Sequence, residues 1–127
     1  MRKLMLIGIV AAFALVPAAL ASGGKDGDRI IKRGVCSAGT TWKLKAKPDD
    51  GRIEVEFEVD QNRVGKRWRV TIVRNGSAVF SGTRRTLAPS GSFEVRRLLA
   101  DSAGPDRIVA KARSLAGGQT CRASLTI

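Results

Sequence analysis

Acidic residues at every second position are the first feature of this chain with the types and spacing to do chemistry. Glu54, Glu56, Glu58 and Asp60 alternate with Ile53, Val55, Phe57 and Val59 without a break, and Asp49 and Asp50 stand side by side just before them. Paired carboxylates serve acid–base catalysis, glycoside hydrolysis above all, when one of them flanks a cleft with a raised pKa. Clustered carboxylates also hold hard cations. Neither use suits this pattern. Period two puts the four apolar side chains on one face of a strand and the four carboxylates on the other. Lys43, Lys45 and Lys47 occupy the outer face of the strand before it. A four-residue turn over Pro48-Asp49-Asp50-Gly51 sets Lys45 opposite Glu54 and Lys43 opposite Glu56, where opposite charges stabilise the pair and fix its register. The two aspartates then serve the turn itself.

The chain has no histidine. That excludes Ser-His-Asp, Cys-His and histidine–metal chemistry, and no glycine-rich phosphate loop leads into a helix. A hydrolase would have to work through a carboxylate such as Asp49 or Glu56. The expectation is a protein that is not an enzyme and needs no cofactor or metal.

The two cysteines, Cys36 and Cys121, have neither a CxxC spacing nor a histidine beside them. Residues 1–21 explain them better. Met1-Arg2-Lys3 precedes an uncharged apolar run from Leu4 to Val16, followed by Pro17 and the small-residue exit Ala19-Leu20-Ala21. This has the form of a secretory signal peptide rather than a retained anchor. Export delivers the cysteines to an oxidising compartment, where they form one disulfide. Closing the long loop between them stabilises the fold by roughly 4 to 5 kcal/mol in the chain-entropy account. After cleavage the net charge falls from +12 to about +10. A balance that basic favours polyanions as partners. No membrane-spanning segment is expected after cleavage.

Residues 22–33, rich in glycine and charge, read as a flexible linker, and residues 34–127 as one β domain. Seven strands are expected. The first, from Val35 to Lys47, turns Cys36, Trp42, Leu44 and Ala46 inward and is interrupted near Gly39; the second is the acidic strand. The third, Lys66 to Arg74, places Trp68, Val70 and Ile72 inside. Asn75-Gly76, the strongest short hairpin signal, joins it to a fourth from Ser77 to Thr83. In regular pairing Ile72 lies opposite Val79 and Phe80 falls on the outer face beside Thr71, unless a bulge intervenes. Phe93 and Val95 begin a fifth strand, bent or bulged at Leu98-Leu99. The sixth runs from Arg107 to Leu115, and the seventh turns Cys121, Ala123, Leu125 and Ile127 inward.

Seven short strands without helical period describe an antiparallel sandwich. The pattern Ile108-x-Ala110-x-Ala112, a glycine hairpin, then Ala123-x-Leu125-x-Ile127 resembles the last two strands of secreted bacterial immunoglobulin-like and fibronectin type III-like domains. Trp68 is similar to the core tryptophan of immunoglobulin-like folds. The chain departs from antibody domains in having its cysteines on the first and last strands and no tyrosine. The resemblance implies a fold and a secreted life, not an activity. It also implies a sheet of strands one, two and five facing one of strands three, four, six and seven.

In that arrangement Arg67, Arg69, Lys111, Arg113 and Arg122 gather on the outer face of the second sheet with almost no acid. They form a candidate site for a polyanion, with an anionic polymer of the cell envelope as the first partner to consider. Nucleic acid is disfavoured, because few aromatic side chains are left exposed for stacking. The second expectation is an extracellular protein–protein module centred on Phe80, Val73 and Val109.

Overall fold

A computed structural model describes residues 28–127. The expected signal peptide and most of the expected linker lie outside the described residues. Eight strands form: β1 (Ile30–Val35), β2 (Thr41–Asp49), β3 (Arg52–Asp60), β4 (Arg67–Arg74), β5 (Ser77–Arg85), β6 (Ser92–Ala100), β7 (Arg107–Ser114) and β8 (Thr120–Thr126). They build two four-stranded sheets, ordered β1-β2-β3-β6 and β5-β4-β7-β8, with every pairing antiparallel. The expected strands group as foreseen, with one strand more.

The extra strand is β1, and it corrects the count of seven. Ile30 to Arg33, read as linker, pair residue by residue with Ala46 to Lys43. The signal was masked because Gly34 and the charges look like linker composition, yet the glycine has a packing role. A Cβ on Gly34 would lie 2.4 Å from the Trp42 ring on the facing strand. The ring covers the glycine in place of a side chain. A short 3₁₀ turn at Ser37–Gly39, with Ala38 and Gly39 at positive φ, reverses the chain into β2. This is the interruption expected near Gly39.

Alternation sets what is buried. Leu44, Val55, Phe57, Val59, Trp68, Val70, Ile72, Ile108 and Ala110 are wholly enclosed between the sheets. Each of them has the inward parity expected of it. The Trp68 indole donates to Gln61 Oε1 at 2.9 Å, so the buried ring keeps a partner for its one polar atom.

Three local expectations are corrected by turns and bulges. The β2–β3 hairpin closes through two residues, not four: Asp50 (φ 53) and Gly51 (φ 81) both adopt positive φ, the conformation of a primed turn. The register therefore moves by two, placing Lys43, Lys45 and Lys47 opposite Glu58, Glu56 and Glu54. A shift of two preserves the faces. In the β4–β5 hairpin, Arg74 pairs with Ser77 as expected, but a bulge at Val79 then sets Ile72 opposite Phe80. Phe80 consequently points inward and is only 8% exposed. In β6 there is no bulge at Leu98-Leu99; β3 and β6 pair without a shift from Asp60↔Ser92 to Arg52↔Ala100. The apolar alternation looked broken because Arg97 takes an inward position.

Arg97 and Phe80 show how the open sides of the sandwich are closed. On one side β8 packs against β1 and β2, and the Cys36–Cys121 disulfide joins them with Cα atoms 4.4 Å apart. Cys36 lies just past β1, in the connection to β2, and Cys121 lies on β8. On the other side β5 faces β6. There the Arg84 and Arg97 guanidiniums stack on the Phe80 ring, 4.7 and 4.6 Å from its centroid. Inward-pointing arginines on two edge strands also guard against edge-to-edge pairing with other chains.

Candidate polyanion-binding face

The two outer faces carry their charges differently. On the β1-β2-β3-β6 sheet each of the three glutamates of β3 has a cation across the ladder. Lys45 Nζ lies 3.2 Å from Glu56, Lys47 Nζ 3.7 Å from Glu54 and Lys43 Nζ 3.9 Å from Glu58, while Arg96 of β6 clasps the buried Glu54. Partial burial pushes the Glu56 carboxyl up. The Lys45 hydrogen bond, the proton-sharing contact with Glu94 and the charges of Lys45 and Arg96 outweigh it and hold the group below the ordinary carboxylate range. Glu94 moves the other way, raised by partial burial, by its hydrogen bond with Glu56 and by the charges of Glu56 and Glu58. A raised and a lowered carboxylate side by side are the raw material of acid–base catalysis. Here they lie on a flat ladder with lysine across from Glu56, and Asp49 stands apart at the exposed end of β2. Among the described residues no group of three or more acidic or cysteine side chains could hold a metal ion.

The β5-β4-β7-β8 sheet has no such balance. Its four strands contain no aspartate or glutamate. Register places the five expected cations together: Arg69 lies directly opposite Arg113 across β4 and β7, and Lys111 directly opposite Arg122 across β7 and β8. Arg67 stands two residues before Arg69 on the same face. All five are exposed, and among the described residues none forms an ion pair with a carboxylate. Arg69 Nη2 donates to Ser81 Oγ at 2.9 Å on the neighbouring strand. A shallow depression of about 400 Å³ runs between these side chains, lined by Arg69, Thr71, Lys111, Arg113, Thr120 and Arg122.

Two cations were missed. Arg85 pairs with Arg67 and lies exposed on the same face, and Arg107 extends the face at the other end of β7. The bulge at Val79 decides Arg85, since it exchanges the inner and outer positions of β5 beyond it. Arg107 already had outward parity in the sequence, and that was signal enough to include it. The bulge also removes the centre of the expected apolar contact. Val73 and Val109 do lie opposite one another on the outer face, but Phe80 is inside.

No family model, curated protein or solved structure matches this chain.

Three directly opposed cation pairs on one face, Arg67–Arg85, Arg69–Arg113 and Lys111–Arg122, weaken the sheet that carries them. Like charges facing each other across a ladder are destabilising by up to about 1 kcal/mol per pair. Arg122→Thr removes one such pair and installs a residue suited to a strand. It is expected to stabilise the domain by about 0.5 kcal/mol at low salt, read as a rise in the urea midpoint that shrinks as salt is added. A destabilised variant at low salt would mean that Arg122 contributes packing that outweighs the repulsion.

Proposed function

We propose that this chain is an exported, non-catalytic binding domain, built as an immunoglobulin-like or fibronectin type III-like sandwich. It holds a linear polyanion on the outer face of its β5-β4-β7-β8 sheet. An anionic polymer of the cell envelope is the partner whose chemistry suits that face. Support for the fold comes from the strand grouping, in which β2, β3 and β6 oppose β5, β4, β7 and β8, with β1 added at the edge. The observation that carries the function is the unbalanced cation cluster, whose mutual repulsion weakens the sheet and whose charges have no carboxylate partner among the described residues. Guanidinium groups pair with carboxylate, sulfate and phosphate through two parallel hydrogen bonds. Aligned on a rigid sheet, they are already in place before the polymer arrives. Among the described residues no helix is long and apolar enough to cross a membrane; in this proposal the basic face holds the domain at an anionic surface.

Counterion release makes such binding steeply salt-dependent. For about five neutralised charges, a fourfold rise in salt weakens binding about a hundredfold, by the relation established for charged polymers. The test is retention of the mature domain on envelope polymers across a salt series, beside Arg67→Glu/Arg69→Glu/Lys111→Glu/Arg113→Glu. All four side chains are exposed, so the reversal leaves the core intact. The expected result is a steep slope in the wild type and loss of retention in the variant. Absence of retention at low salt, or equal retention by the variant, would overturn the proposal; tight binding indifferent to salt would point to a protein partner.

A further inference from the structure

We infer a second anion site, independent of the basic sheet face, in the cleft at the end of the sandwich where loops 36–40, 61–66 and 114–119 meet. Its ligand is a single sugar residue bearing a carboxylate or sulfate. The cleft encloses about 610 Å³, within the range of small-molecule sites.

Three of the polar side chains that line the cleft, Gln61, Gln119 and Ser114, already accept a hydrogen bond from the protein. Gln61 Oε1 accepts from the Trp68 indole at 2.9 Å. An indole N–H can only donate, so the amide oxygen is fixed on the buried ring and the Gln61 NH₂ group is left to the cleft. Across from it, Gln119 Oε1 accepts from the buried Thr40 hydroxyl at 2.6 Å, which leaves the second NH₂ group in the same position. Arg63 and Lys66 add two cations to the lining. Among the described residues no carboxylate lines the cleft, and Ser114 Oγ there accepts from the Gly117 amide at 3.1 Å. A wall of amide, ammonium and guanidinium donors selects a ligand rich in acceptors and negatively charged.

The same lining excludes other anions by what it lacks. Among the described residues its apolar side chains are only Ala38 and Ala116, which offer little to hold the side chain of a peptide carboxylate. Among the described residues no aromatic ring lines it, so a nucleotide base finds no stacking surface there. A hydroxylated ring carrying one anionic group offers acceptors to the amides and a charge to the two cations.

The cleft is also held rigidly. Thr86, wholly buried, accepts from the Lys66 amide at 2.8 Å and donates to the Arg63 carbonyl at 2.5 Å. Gly91 accepts from the Gln61 and Asn62 amides at 3.0 and 3.1 Å. A Cβ at Gly91 would lie 2.3 Å from the Arg63 nitrogen, so the 61–66 loop rests on a position that only glycine fits. The site is thereby formed before any ligand arrives.

The test is titration of the isotope-labelled domain by NMR with a uronate disaccharide, its methyl ester and galactose 6-sulfate, all too short to span the sheet. Arg63→Glu/Lys66→Glu, Gln119→Glu and the face variant Lys111→Glu/Arg122→Glu are titrated alongside. At least one anionic sugar is expected to bind saturably and shift the Gln61 and Gln119 NH₂ signals, with the ester bound at least about tenfold more weakly. Arg63→Glu/Lys66→Glu should lose about tenfold or more, and so should Gln119→Glu, which keeps the Thr40 contact but replaces a donor with a negative acceptor. Which anionic sugar binds names the anion. The face variant should bind these sugars like the wild type at physiological salt, since its charges are screened from the cleft, while losing retention on polymer. Each site thus fails on its own evidence. No binding of either anionic sugar, equal binding of the ester, or full binding by Arg63→Glu/Lys66→Glu with a native spectrum would overturn the inference.

Discussion

Cys36→Ala/Cys121→Ala is expected to lower the unfolding free energy by roughly 4 to 5 kcal/mol, the entropy regained when a loop of this length is released. The bridge spans a sequence separation of 85 residues, and domains of this size hold only about 5 to 15 kcal/mol in all. Its position adds to the effect. Cys36 follows β1 and Cys121 lies on β8, so the bond fastens the edge of one sheet to the edge of the other along an open side. Thr40 and Ser37 reach across the same seam, to Gln119 Oε1 at 2.6 Å and from the Thr120 amide at 3.0 Å. Loosening it frees β8, which contributes Arg122 and Thr120 to the basic depression, and with it Gln119, the residue just before β8, which lines the end cleft. Urea unfolding of oxidised, reduced and substituted protein measures the first effect, and polymer retention of the reduced protein below its melting temperature the second. A loss of less than about 2 kcal/mol would mean that the unfolded chain is already restrained without the bridge.

The inside and outside of this molecule were legible because a strand has a period of two and the apolar residues keep to it. Trp68, Val70 and Ile72, or Ile108, Ala110 and Ala112, could face only one way. What was illegible lies where one residue changes the count. Asp50-Gly51 as a two-residue turn and Pro48-Asp49-Asp50-Gly51 as a four-residue turn are both sound turn chemistry, and they differ by two in register and not at all in facing. The bulge at Val79 is less forgiving. Asn75-Gly76 pins Arg74 to Ser77 at one end, while Phe80 gains by burial only with the opposite parity. The strand satisfies both by inserting one residue. That insertion buries Phe80 and sends Arg85 to the basic face, so the expected apolar centre disappears and the basic face gains a cation. Arg97 misled for a related reason. A charge at an inward position reads as a broken pattern, until a ring across an open edge explains it.

Asp106→Ala is expected to cost about 3 kcal/mol, because it strands a cation and breaks the knot at the far end of the sandwich. Asp106 is 1% exposed. Its Oδ1 accepts from Arg74 Nε at 3.0 Å, Asn75 Nδ2 at 3.0 Å and Ser102 Oγ at 3.3 Å. Its backbone exchanges two hydrogen bonds with Ile127, at 2.7 and 2.9 Å. The carboxylate therefore ties the Asn75-Gly76 hairpin to the β6–β7 connection, and its backbone ties that connection to the end of β8. Asn75 completes the tie, its Oδ1 accepting from the Arg107 amide at 2.8 Å, so β4 and β7 are held in the register that sets Arg69 opposite Arg113. Asp106→Asn keeps an acceptor for Arg74 and Asn75 but loses the charge, and about 1 to 2 kcal/mol is expected. Arg74→Met in the Asp106→Ala background should recover part of the loss, since the stranded guanidinium no longer needs hydration it cannot reach. Urea unfolding of the single and double variants reads this coupling directly. Additive losses would show that Arg74, whose side chain is 16% exposed, turns to solvent when its partner is removed; the cost of Asp106→Ala would then lie in the hairpin and the loop rather than in the ion pair.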